Sequence, residues 1–147
     1  MSTLVVGAVQ NTGTGAPTIQ NSSGTEIGQF AGGWTSFSGG HDVAFGDRAS
    51  FNVSSITDHG TGDYTVNWNN DFSSANGYSV VASCCNDGSV NGSDCYCMIH
   101  TNGTAATTFG SGTVTAPGTG TTRLVVMHPS NRVCQDVQYV SVVAFGV

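Results

Sequence analysis

The sequence predicts an all-β fold, and three observations lead there. Gly supplies 21 of the 147 residues, and Ser, Thr and Asn fill much of the rest. Such usage disfavours helices, because Gly loses the most backbone entropy and short polar side chains offer the backbone competing hydrogen bonds. Charged residues make up only 8% of the chain, against roughly 25% in ordinary soluble domains, so hydroxyls and amides must carry its solubility. Finally, short apolar runs of period two recur between Gly- and Asn-rich separators, the pattern of strands joined by tight turns.

Taken in order, the chain opens with one apolar run, Leu4 to Val9, followed by the tract NTGTGAPTIQNSSGTEIG. That tract has too few apolar side chains to pack by itself, so residues 1–33 are expected to form an extended lead-in or docking segment, ordered if at all by a neighbour. GGWTSFSGG holds Trp34 and Phe37 between glycine pairs and reads as a turn or loop carrying aromatics. Residues 34–147 are then expected to form the domain proper. In ASFNVSSIT, Phe51 and Val53 alternate with Asn52 and Ser54; in DYTVNWN, Tyr64, Val66 and Trp68 alternate with Thr65, Asn67 and Asn69. The connector from Asp58 to Asp63 contains two glycines and makes the pair a hairpin. Further strands are expected in YSVVASC, CYCMIH, a weak pair around TTFG and GTVT, TRLVVMH and YVSVVAFGV. The stretch Val140 to Phe145 is almost continuously apolar, as in a strand buried on both faces, or, within one small domain, a strand with one face in the core and the other at a subunit contact. Roughly seven or eight short strands with Gly/Asn turns indicate a β-sandwich or barrel of jelly-roll type.

Charge excludes several classes of function. Net charge is −6, and the cations are Arg48, Arg123 and Arg132, with no Lys. A chain so poor in cations neutralises neither a phosphate backbone nor an anionic membrane surface, so no nucleic-acid partner is expected. Without Lys there is no P-loop and no Schiff-base chemistry. No stretch reaches the roughly 20 apolar residues of a membrane span, and no membrane insertion is expected. MSTLVVGAVQ lacks a basic region and is interrupted by Gly7 and Gln10, unlike a secretory signal. The chain is therefore expected to be made in a cytoplasm.

The candidate chemistry is sparse. Cys84, Cys85, Cys95, Cys97 and Cys134 are odd in number, and buried thiols are expected in preference to a disulfide framework, with one disulfide as the alternative. On strands, Cys84 and Cys85 point to opposite faces, while Cys95 and Cys97 share one face and His100 takes the other. That spacing does not make a common zinc site, and no metal or other cofactor is expected. The sequence lacks a Gly-x-Ser-x-Gly elbow, a His-Glu-x-x-His pair and an Asp-x-Asp-x-Asp loop. Asp58 and Asp63 read as turn residues rather than as a glycosidase carboxylate pair. No catalytic residue is assigned.

Sugar stacking makes candidates of Trp34, Trp68 and Tyr96, but the place of Trp68 in an alternating face favours core packing. Trp34 is the better contact residue, toward a ligand or a neighbouring subunit. The polar excursion from Asn86 to Asp94, with Asp87 and Asn91 inside it, is the expected recognition loop.

The segment RASFNVSSITDHGTGDYTVNW, followed by YSVVAS, resembles a recurrent element of phage tail-fibre and tail-tip terminal domains. The ending YVSVVAFG is similar to their final strand, and APTIQNSSGTEIGQF to the stretch leading into them. The likeness runs from about Ala16 to Val147. It implies a homotrimeric β-rich knob on a short lead-in, exposed on the virion, without catalytic residues, often contacting host-surface glycans. A virion protein is assembled in a host cytoplasm and works outside it, which reconciles the missing signal with the polar surface. The alternative is a capsid or tail decoration (cement) protein that docks on other virion proteins through its N-terminal segment.

Overall fold

The computed structural model describes residues 18–40, 44–75, 77–85, 96–99, 117–128 and 133–146. Among them there is no helix. The described residues hold ten strands in three antiparallel sheets. β1 (Thr18–Gln20) and β2 (Glu26–Gln29) make a two-stranded sheet of their own among the described residues. Asn21 shapes their turn, its side-chain oxygen accepting from the backbone N–H groups of Ser23 and Thr25. The expected lead-in thus contains a hairpin, and Ile19 and Ile27 on it stay exposed.

The remaining strands are β3 (Gly33–Ser38), β4 (Gly46–Phe51), β5 (Val53–Gly60), β6 (Asp63–Trp68), β7 (Ser79–Cys85), β8 (Tyr96–Ile99), β9 (Thr121–Met127) and β10 (Tyr139–Phe145). They make a first sheet of order β4-β3-β10-β7 and a second of order β5-β6-β9-β8. The two sheets share one core. Phe37, Val140, Val142 and Ala144 from the first meet Tyr64, Val66, Trp68, Leu124 and Val126 from the second. Phe37 sits edge-on to Tyr64, with ring centroids 5.3 Å apart.

The expected hairpin is β5–β6, and Tyr64, Val66 and Trp68 are its buried face. Trp68 takes the core role expected of it, its indole N–H donating to the Thr122 hydroxyl at 3.1 Å. The run ASFNVSSIT, however, is not one strand. Asn52 has φ 58° and breaks it into β4 of the first sheet and β5 of the second. The Asn52 amide donates to the carbonyls of Gly32 (2.8 Å) and Asn70 (3.2 Å), and its side-chain oxygen accepts the Asn70 N–H at 2.8 Å. Asn tolerates this left-handed backbone better than most residues, so the corner is written into one side chain. In consequence Phe51 faces out, 55% exposed, rather than into the core.

One other expectation is corrected. GGWTSFSGG is strand β3, not a loop: Thr35 and Phe37 point inward and Trp34 and Ser36 outward. Gly33 serves close packing rather than a turn, since a Cβ on it would lie 2.7 Å from the Trp68 ring. Among the described residues Leu124 to Met127 of β9 are all buried, whereas β10 buries one face only, the second of the two readings open for it. Residues after β9 fold back alongside it, pairing Cys134 with Met127 and bonding the Gln135 N–H to the Val126 carbonyl, and the Cys134 side chain packs with Val125 and Met127. β10 instead buries Val140, Val142 and Ala144 and leaves Tyr139, Ser141 and Phe145 exposed. Its outward side chains are largely apolar too, which hid the alternation. The weak pair around TTFG and GTVT lies outside the described residues.

Candidate functional site

The two sheets have outer faces of opposite character. On the second sheet, the outward side chains bond one another. Asn67 donates to the hydroxyls of Ser55 (3.1 Å) and Thr57 (3.0 Å), and His59 Nε2 lies 2.9 Å from the Thr65 hydroxyl. At the end of the hairpin, Asp63 is 1% exposed and receives both Nε (2.8 Å) and Nη2 (2.7 Å) of Arg123. This ion pair holds the guanidinium protonated above its ordinary range, the hydrogen bonds to Asp63 outweighing burial.

A second buried polar cluster lies beside it. The Tyr64 hydroxyl donates toward the Gly39 carbonyl (2.8 Å) and Asp136 Oδ1 (2.9 Å), and the same carboxylate oxygen accepts the Gly62 N–H at 2.7 Å. Burial, then the Asp136 carboxylate, raise the Tyr64 hydroxyl far above the usual phenol range. Burial first and the charge of Asp63 second also push the Cys134 thiol up. These groups are occupied in fixing the β5–β6 turn against the segment after β9. Asp58 keeps the turn role expected of it, accepting the Gly60 N–H at 2.8 Å. Asp63 does not: it is the buried half of an ion pair, which local spacing could not reveal.

The first sheet presents the other face. Register places Phe51 opposite Trp34, Trp34 opposite Val143, and Val143 opposite Val81. All four point outward, so one apolar row crosses all four strands. Val81 is 62% exposed and Trp34 39%, while Val143 is half-buried between them. Phe145 extends the row beside Val143 on the same strand, two residues on. The next row is Ala49, Ser36, Ser141 and Ser83, without a charge. Beyond it stands Tyr139, opposite Cys85, with the Arg48 guanidinium carbon 4.1 Å from its ring centroid. An uncharged strip of aromatic and branched side chains rimmed by hydroxyls has the make-up of a contact surface.

Of the candidates chosen from sequence, Trp34 lies in the middle of this strip. Asn86, Asp87, Asn91 and Asp94 lie outside the described residues, as do Cys95, His41 and His100; Tyr96 and Cys97 belong to β8, but their side chains are not described. Cys84 and Cys85 do point to opposite faces: Cys84 packs against the core, and Cys85 is exposed rather than buried. Phe51, Val81 and Val143 were missed as surface residues because apolar type alone reads as core. Among the described residues, no three His, Cys, Asp or Glu side chains gather into a group that could hold a metal ion, and no helix is long and apolar enough to cross a membrane. No family model, no curated protein and no solved structure matches the chain.

Proposed function

We propose that this chain is a phage virion protein, a tail-fibre-like knob that works by contact and not by catalysis. The carrying observation is the uncharged row Phe51–Trp34–Val143–Val81 across a four-stranded face. In water such a strip favours being covered, at roughly 25 cal/mol for each Å² of apolar surface removed. The virion assignment rests on the resemblance of the hairpin segment to fibre-tip domains, and host-surface recognition, of a glycan or a protein, belongs to it. Threefold assembly and a jelly-roll arrangement are the finer parts of the same proposal. In support, two four-stranded sheets share a core, and the first of these eight strands, β3, lies beside the last, β10. Strands consecutive among the described residues pair within one sheet at β3–β4, β5–β6 and β8–β9, which departs from the usual jelly roll.

A second assignment, decoration of a capsid or tail, has its own observation. The β1–β2 hairpin stands apart from both larger sheets and exposes Ile19 and Ile27, with Phe30 just beyond it. A lone two-stranded hairpin is marginal in water and gains stability by docking. Imaging the labelled protein on virions, with purified protein competing for phage adsorption, tests both. Inhibition of adsorption supports recognition; binding to empty capsids without inhibition supports decoration; absence from virions refutes the virion assignment.

A further inference from the structure

We infer that the outer face of the β4-β3-β10-β7 sheet takes a second copy of this chain, in a two-fold, face-to-face pair. This rests on reading the row as a contact surface and names its occupant. Two properties of the row select a copy of itself. The first is charge. Each chain carries −6, so two copies repel wherever acidic surfaces meet, and a self-contact needs a face free of carboxylates. Rows Phe51–Trp34–Val143–Val81 and Ala49–Ser36–Ser141–Ser83 provide eight consecutive outward positions without an ionisable side chain.

The second property is the order of sizes. From β4 to β7 the row runs large, large, small, small. A two-fold axis parallel to the strands, passing between β3 and β10, reverses that order in the partner. Phe51 of one copy then lies over Val81 of the other, and Trp34 over Val143, so each bulky ring meets a short branched side chain. The second row meets itself, Ser36 over Ser141 and Ala49 over Ser83, with no charge on either side. An isologous contact of this kind closes on itself without leaving an edge for filaments. Trp34 accordingly belongs to assembly, not to receptor contact. Where a threefold contact also forms, the pair joins two trimers into six copies.

Four strands about 4.8 Å apart, two of six and two of seven residues, give a face of roughly 400 Å² per copy. That lies below the roughly 800 Å² per partner of a standard stable interface. A reversible pair is expected, visible at high protein concentration. The test is mass by light scattering over about 10–200 μM, a range suited to so small an interface, for the intact chain and for Val81→Asp. Val81 is 62% exposed, so the variant keeps its fold, checked by circular dichroism. An assembly of two or six copies whose mass halves in Val81→Asp supports the pair. Equal masses for the two proteins overturn it, whatever their value.

A cross-linking experiment tests the order of the row. In a Cys85→Ser background, Phe51→Cys chains are mixed with Val81→Cys chains and treated with a bismaleimide spanning about 10 Å, the spacing of stacked sheets. Mixed pairs in several-fold excess over the Phe51→Cys protein alone support the two-fold geometry; equal yields overturn it. The virion reading fails separately, by absence of the protein from virions. Should Val81→Asp and the intact chain have equal mass while only Val81→Asp loses competition for adsorption, the occupant is the receptor and the pair is refuted.

Discussion

Replacing Arg123 by Leu should destabilise this protein more than any other single charge change among the described residues. Asp63 is buried to 2% side-chain exposure, while Arg123 keeps 14%. The two ends of the pair are therefore not equivalent. Removing the guanidinium leaves a carboxylate that has no route to water, at a cost of about 3–5 kcal/mol for a broken buried pair. Removing the negative charge by Asp63→Asn leaves an arginine that can swing its head toward solvent, and costs about 1–2 kcal/mol in lost charge-assisted hydrogen bonds. In the Arg123→Leu background the ion pair is already gone, so Asp63→Asn should cost clearly less than it does in the parent. Urea unfolding of the four proteins measures this cycle. For a domain of this size Arg123→Leu should also lower Tm by about 10 °C or more. An Arg123→Leu loss under 1 kcal/mol, or an Asp63→Asn effect of the same sign and size in both backgrounds, refutes the reasoning.

Three further outcomes are expected. Gly62 has φ 66°, and a Cβ there would lie 2.6 Å from the Val126 carbonyl oxygen and 2.7 Å from the backbone of Gln135; because these are backbone atoms, Gly62→Ala should cost about 3 kcal/mol or more, and an unchanged urea midpoint would contradict the close approach. Asn52→Gly keeps the left-handed backbone and loses only the side-chain bonds, so it should cost about 1–2 kcal/mol, with Asn52→Ala costing about 1 kcal/mol more; equal losses for the two would show that the backbone conformation is not what Asn supplies. Alkaline pH should weaken the fold through Cys134 and Tyr64. Both stay protonated in the native state beyond the ordinary values of 9.0 and 10.0 at which the unfolded chain ionises. Their stabilisation is full below those values and is lost as pH rises above them, by up to about 1.4 kcal/mol per pH unit for each group. Tm should thus fall from about pH 9 and more steeply above 10, and Tyr64→Phe should flatten the steeper part; a Tyr64→Phe curve parallel to the parent's at pH 10–11 is the contrary result.

Much of this architecture is legible in the chain because it depends on local chemistry. Gly, Asn and Thr content sets the all-β class, and the alternation Tyr64–Val66–Trp68 marks both strand and core face, since side chains on a strand must alternate. Asp58 signals its turn through a bond made two residues away. Even the burial of Trp68 follows from its neighbours in sequence.

What the sequence withholds is whatever depends on distant partners. Asp63 looks like Asp58 until β9 brings Arg123 beside it, 60 residues along the chain. β10 is the more apolar string, yet it is β9 that buries four consecutive side chains, Leu124 to Met127, with the distant Cys134 packed against Val125 and Met127. Phe51, Trp34, Val143 and Val81 are scattered across the chain, and only strand register sets them in one line. Composition and periodicity therefore determined the class, the hairpin and half of the core. Sheet order and register, which long-range pairing alone can fix, decided which apolar side chains are buried and which are left to meet a partner.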